Sequence, residues 1–191
     1  MKKWELKKYN FLQFLKPIEY KGNDLPLDIN LSYCSNFTFN TESFCYLNEI
    51  FKDLKLIENL DLEGNNFGEI PNTIMQLIDF LTNKPIKKLN LKKNKLGNDL
   101  EMFNFLCYSL GKNNNIEYID LEENNIGNNS SNVYHIGYLI KNNKNLKFLN
   151  LSNNDLYVFD KDLEILNSAI NKSNSLKEII LKNNNFINEK G

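Results

Sequence analysis

"IEYIDLEENNIG", residues 116–127, is one of five near-copies of a single phrase. "IENLDLEGNNFG" spans 57–68, "IKKLNLKKNKLG" 86–97, "LKFLNLSNNDL" 146–156 and "LKEIILKNNNF" 176–186. Aligned on the Asn that closes each, they place Asn65, Asn94, Asn124, Asn154 and Asn184 in one column, with steps of 29, 30, 30 and 30 residues. One step earlier, "DINLSYC" sets Ile29, Leu31 and Cys34 in the same three places, so there are six units. An internal period of this length indicates a solenoid, in which each unit covers its apolar face with its neighbours.

Inside each unit the pattern LxxLxLxx(N/C) calls for a short strand, because Leu60/Leu62, Leu89/Leu91, Ile119/Leu121 and Leu149/Leu151 must share one face. The column Asn sits where the chain turns off the strand, and a short amide there satisfies backbone groups that the turn would bury unpaired. Further along, apolar residues recur 12 and 16 positions after that column: Tyr46/Ile50, Leu77/Leu81, Leu106/Leu110, Ile136/Ile140 and Leu166/Ile170. An i, i+4 pair marks a helix. Ile74, Phe103, Val133 and Leu163, nine residues after the column, extend the same face. A short return rich in Lys and Asn closes each unit, and Asn143 within it reads as a surface residue.

These residues resemble the leucine-rich repeat family. The period of 29 to 30 with a helix in every unit looks like its ribonuclease-inhibitor and Ran-GAP-like branch. The resemblance implies an α/β solenoid in a horseshoe arc, with a parallel β-sheet on the concave face and α-helices on the convex face. Gly68, Gly97 and Gly127 suit the turn between the column Asn and the helix; units one, five and six lack this Gly. Residues 1–26, with Trp4, Leu6, Tyr9, Phe11, Leu12, Phe14 and Leu15, are expected to form an N-terminal cap. Residues 27–191 then hold the six repeats, the last incomplete. That unfinished end is expected to favour self-association through an uncapped C-terminal edge.

Composition narrows the function. The 191 residues are 41% hydrophobic and carry 23 basic against 24 acidic side chains, for a net charge of −1. No global field favours nucleic acid or an anionic membrane. The chain has no Arg, one Ala and 36 Asn, a bias read as genomic background. "MKKWELKKYNFLQFLKP" lacks the apolar run of a secretory signal, and nothing approaches the roughly 18 apolar residues of a membrane span. Cys34, Cys45 and Cys107, odd in number and without metal-ligand spacing, point to reduced thiols in a cytoplasmic setting. A protein exported into a host cytosol by an intracellular bacterium or parasite would carry the same features.

No nucleophile, base or metal cluster stands outside the repeat frame, so no catalytic residue, metal or cofactor is expected. His135, the only histidine, reads as a helix residue. A chain without Arg cannot supply an arginine finger, so the likeness to Ran GTPase activators carries the fold alone. The outward column Glu63, Lys92, Glu122, Ser152, Lys182 mostly alternates in charge, which predicts a cross-strand ladder. "KKLNLKKNK", 87–95, reads as its positive stripe rather than a nucleic-acid patch.

A second outward column reads Asn59, Lys88, Tyr118, Phe148, Glu178 and sets two aromatics side by side on a polar sheet, with Ile180 diagonal to them. Aromatics ringed by charge are the composition of a binding anchor, although cross-strand packing alone accounts for such a pair as well. The expected function is therefore a noncatalytic module that binds a protein partner through its concave face. The expected contact residues are Tyr118, Phe148, Ile180, Lys88, Asp120, Glu122, Lys92 and Lys182. The alternative is a targeting or regulatory repeat domain of a larger protein, attached to an enzyme domain beyond Gly191 or acting on a GTPase or phosphatase.

Overall fold

A computed structural model describes residues 27–34, 41–50, 57–70, 72–158 and 160–186. The expected cap at 1–26 and the side chains of Tyr46, Ile50 and Phe186 lie outside the described residues. Strands β1 (Leu27–Asn30), β2 (Ile57–Asp61), β3 (Ile86–Asn90), β4 (Tyr118–Asp120), β5 (Phe148–Asn150) and β7 (Glu178–Ile180) form one parallel sheet in the order β1-β2-β3-β4-β5-β7. Helices α1 (Thr41–Ile50), α2 (Thr73–Asn83), α3 (Leu100–Lys112), α4 (Asn132–Asn142) and α5 (Asp160–Lys172) join successive strands and pack side by side. The result is a leucine-rich-repeat solenoid.

The core follows the sequence columns. Leu60, Leu62, Leu89, Leu91, Ile119, Leu121, Leu149 and Leu151 are buried from the strands, and Leu77, Leu81, Leu106, Leu110, Ile136 and Ile140 from the helices. Leu163 and Ile170 of α5 are only partly buried, as are Leu176, Ile179 and Leu181 of the last unit.

The Asn column forms a continuous hydrogen-bonded spine. Asn124 Nδ2 donates to the Leu91 carbonyl of the preceding unit at 2.8 Å, and its Oδ1 accepts from Asn94 N at 3.0 Å and Leu96 N at 3.2 Å. Asn94 and Asn154 repeat the arrangement one unit either way. Each amide thus pairs backbone groups that the close stacking of units takes away from water.

The return turns carry a second polar column, which corrects the reading of Asn143 as a surface residue. Asn143 is 1% exposed. Its Nδ2 donates to the Leu110 carbonyl in the last turn of α3 at 2.8 Å, while Oδ1 accepts from Asn145 N and Leu146 N at 2.9 and 2.8 Å. Asn113 does the same for Leu81 of α2, Asn115 and Ile116. Lys84 fills the place one unit earlier and reaches the Asn48 carbonyl at the end of α1 at 3.3 Å. The physical need is the orphan carbonyls of each helix C-terminus, which the next unit satisfies.

Glycine in the turns has a different cause from the one expected. None of Gly68, Gly97 and Gly127 has a left-handed φ; that conformation falls two residues earlier, on Asn66, Lys95 and Asn125. A Cβ on Gly127 would instead lie 1.8 Å from the Asp155 carbonyl oxygen, and one on Gly68 1.9 Å from that of Lys95. These glycines let one 3-10 turn press on the next: Phe67–Glu69, Leu96–Asn98 and Ile126–Asn128. Tyr157 occupies the equivalent place in the fifth unit, and there the chain runs extended as β6 (Tyr157–Val158), pairing with β8 (Asn185–Phe186).

Candidate functional site

The concave sheet presents its outward residues in register. Asn59, Lys88, Tyr118, Phe148 and Glu178 are direct partners across β2, β3, β4, β5 and β7, and Asp61, Asn90, Asp120, Asn150 and Ile180 form the next row. Tyr118 and Phe148 stack with ring centroids 5.8 Å apart and an interplanar angle of 28°. Tyr118 is 37% exposed and Phe148 half-buried, so the pair offers apolar surface to solvent in a row whose other members are Asn59, Lys88 and Glu178. Lys88 places its ammonium 5.5 Å from the Tyr118 centroid. These residues, with Asn59, Asp61 and Asp120, line a shallow groove of about 280 Å³.

Of the eight expected contact residues, Tyr118, Phe148, Lys88 and Asp120 line this groove; Glu122, Lys92, Ile180 and Lys182 do not. Lys92 bridges Glu122 at 3.1 Å and Glu123 at 3.5 Å. Burial pushes the Glu122 carboxyl up, but Lys92 and the amides of Asn153 and Asn150 outweigh it and hold the group below its usual range. Asp120 behaves oppositely. Burial dominates and raises its carboxyl above the ordinary value, against hydrogen bonds from Glu122 N at 2.9 Å and Asn150 Nδ2 at 3.2 Å. Ile180 is half-buried in register with Asn150, off the groove lining. Lys182 is exposed and has no ion pair among the described residues, because Ser152 interrupts the charge alternation beside it.

The lysine-rich run is neutralised side chain by side chain. Lys87 and Lys88 meet Glu58 at 3.2 and 3.8 Å, Lys93 meets Glu63 and Glu123 at 3.8 Å each, and Lys95 meets Glu69 at 2.6 Å. A further ladder was not anticipated: Glu58, Lys87, Glu117 and Lys147 alternate across the N-terminal ends of strands β2 to β5, with Lys147–Glu117 at 2.6 Å. Its signal stood in the sequence as the residue after the first apolar position of each phrase.

Two features escaped the sequence reading. Asp61 belongs to the groove as fully as Asp120 does. On the convex side Met75, Phe105 and Tyr108 are exposed and line a depression of about 480 Å³ between α2 and α3, and Tyr108 stacks on Tyr138 at 5.3 Å. His135 on α4 is half-buried, and that burial lowers its basicity. The Cys107 thiol is buried and pushed well above its usual range by desolvation. No helix among the described residues is long and apolar enough to cross a membrane.

The Leucine Rich Repeat family model matches residues 56–77 and 145–169, the strand-to-helix portions of the second and fifth units. The match agrees with the architecture in supporting a leucine-rich repeat protein. Such repeats generally mediate protein–protein interaction and are typically noncatalytic. No curated protein matches the chain.

Proposed function

We propose that this protein is a noncatalytic module that binds a protein partner through the concave sheet, with Tyr118 and Phe148 as the anchor. The observation that carries the reading is the stacked, solvent-facing aromatic pair in a groove flanked by ion-paired strands. Core residues of these strands point to the other face, so the pair is not needed to fill the solenoid. Large aromatics surrounded by charge are where binding energy concentrates. The paired lysines of 87–95 leave little free positive charge for a phosphate backbone, which favours protein over nucleic acid. The α-helix joining each successive pair of strands and the steps of 29 and 30 residues support the ribonuclease-inhibitor-like branch. The three free thiols suit a reducing, cytosol-like compartment.

The test is an affinity capture from cytosolic extract, identification of the bound protein by mass spectrometry, and titration of that purified protein against variants. Replacing Tyr118 and Phe148 together by Ala should weaken binding by more than about 2 kcal/mol, the scale of a hot spot. Circular dichroism should show the variant folded, with a smaller change in stability. A partner that binds the folded double variant as tightly as the wild type moves the site to another surface.

A further inference from the structure

The row Asn30, Asp61, Asn90, Asp120, Asn150 does one structural job. Each side chain accepts the backbone N–H two residues on: Asn30 from Ser32 at 2.9 Å, Asp61 from Glu63 at 3.0 Å, Asn90 from Lys92 at 3.0 Å, Asp120 from Glu122 at 2.9 Å and Asn150 from Ser152 at 3.0 Å. A neutral amide performs that job as well as a carboxylate, as three of the five show. Nor is charge required for pairing across units, since Asn183 Nδ2 donates to Asn153 Oδ1 at 2.8 Å. The negative charges at 61 and 120 are therefore surplus to the fold.

They are also without a cation among the described residues, as are Asp28, which accepts from the Asn59 amide, and Glu178 on β7. Glu58, Glu63, Glu117, Glu122 and Glu123 each meet a lysine. Among the described residues Asp61 and Asp120 pair with no ammonium; their side-chain partners are the amides Asn90 and Asn150, at 3.0 and 3.2 Å. Lys92, the nearest candidate for Asp120, is engaged by Glu122 and Glu123. A half-buried carboxylate in that position carries a desolvation cost that an arriving cation relieves, and the raised Asp120 carboxyl is consistent with it. With strands about 4.8 Å apart, the two carboxylates stand about 10 Å from each other on either side of Asn90.

The wall of the same groove accepts a cation as well. Lys88 already rests over Tyr118, held by a 3.8 Å contact to Glu58 and otherwise open to solvent, so it is readily displaced. The alkyl stem of a long basic side chain suits the Tyr118 face, which Phe148 backs from behind.

Resting on the concave-face reading, we propose that the groove receives a lysine or arginine side chain of the protein partner, its stem against Tyr118 and its charged head between Asp61 and Asp120. The charge pattern, more than the groove's size, selects this occupant: two uncompensated carboxylates beside an aromatic face match a cation on an apolar stem.

The experiment titrates N-acetyl-arginine amide into the isotope-labelled 191-residue protein and follows the side-chain amide signals of Asn90 and Asn150 by nuclear magnetic resonance. N-acetyl-citrulline amide, of the same shape without the charge, is the control. Saturable millimolar binding is expected for arginine, at these two amides and at Tyr118. Asp61→Asn combined with Asp120→Asn should weaken it about five-fold or more. Because Asn already serves at 30, 90 and 150, the variant is expected to fold; Asp120→Asn alone provides a second test with a smaller loss. No saturable shift in the groove, equal binding of citrulline, or unchanged affinity in the double variant overturns the proposal. If the arginine probe fails while partner binding still depends on Tyr118 and Phe148, the concave-face reading survives without this inference. Partner binding indifferent to both aromatics removes the two together.

Discussion

Asn124 and Asn143 show how the same residue type does equivalent work at opposite ends of a repeat. Asn124 closes the strand-side turn, and Asn143 closes the helix-side turn; both are essentially unexposed and both use donor and acceptor on backbone groups. Removing either amide leaves buried backbone partners unpaired. Asn124→Ala and Asn143→Ala are each expected to destabilise the fold by about 1–3 kcal/mol in chemical denaturation. Asn174→Ala, at an exposed site in the next return turn, should change stability little. Equal midpoints for all three variants would contradict the assignment of two spines. The first spine was legible because its Asn stands at a fixed distance from the leucines. The second was hidden: 36 asparagines make any one of them look ordinary, and only the approach of Leu110 of the preceding helix distinguishes Asn143 from its neighbours.

At the scale of elements, the turn after each strand decides how closely units stack. Left-handed backbone at non-glycine residues such as Lys93, Glu123 and Asn153 recurs just before the Asn column, and each of these residues donates its N–H to the next unit at 2.9–3.1 Å. That inter-unit bond offsets the conformational cost of the left-handed residue, of order 1 kcal/mol. Two positions after the second left-handed residue, the chain passes so near its neighbour that only hydrogen fits. Gly127→Ala should therefore cost roughly 3 kcal/mol or more in thermal or chemical unfolding, because the clash is with backbone and cannot be relieved by a rotamer change. Gly137→Ala, whose Cβ would meet the Cγ2 methyl of Ile165 at 3.1 Å and no backbone atom, should be tolerated far better. Similar losses at the two sites would mean that the close stacking is not what places glycine at 127. The fifth unit illustrates the alternative solution, with Tyr157 forcing an extended segment in place of the 3-10 turn.

For the molecule as a whole, the β7 end of the sheet is the edge where self-association is expected. Strand β7 is bonded on one side to β5, and among the described residues nothing pairs with its other side. Leu176, Ile179 and Leu181 are only partly buried, unlike their counterparts in inner units. An unpaired strand edge beside incompletely covered apolar residues favours pairing with another chain. The 191-residue protein is expected to form concentration-dependent dimers in sedimentation equilibrium, and Ile179→Lys should shift the equilibrium toward monomer. A wild type that stays monomeric at high concentration removes the idea.

The repeat frame was readable from sequence because a period of 29 or 30 forces leucines, strand phase and the closing Asn into columns, and each column has one physical solution: inward leucines, parallel strands, a buried amide. The stacking of Tyr118 on Phe148 was readable for the same reason, as a strand register turns sequence columns into neighbours. Tertiary structure decided what periodicity leaves open. It showed that Asn143 is buried, that glycine serves close approach instead of turn conformation, that Lys182 stands apart from the charge ladder, and that Asp61 and Asp120 line one groove with neither paired to a cation among the described residues. Those facts depend on distances between side chains of different units and on how much water the curved sheet excludes, and neither quantity is encoded in a column taken alone.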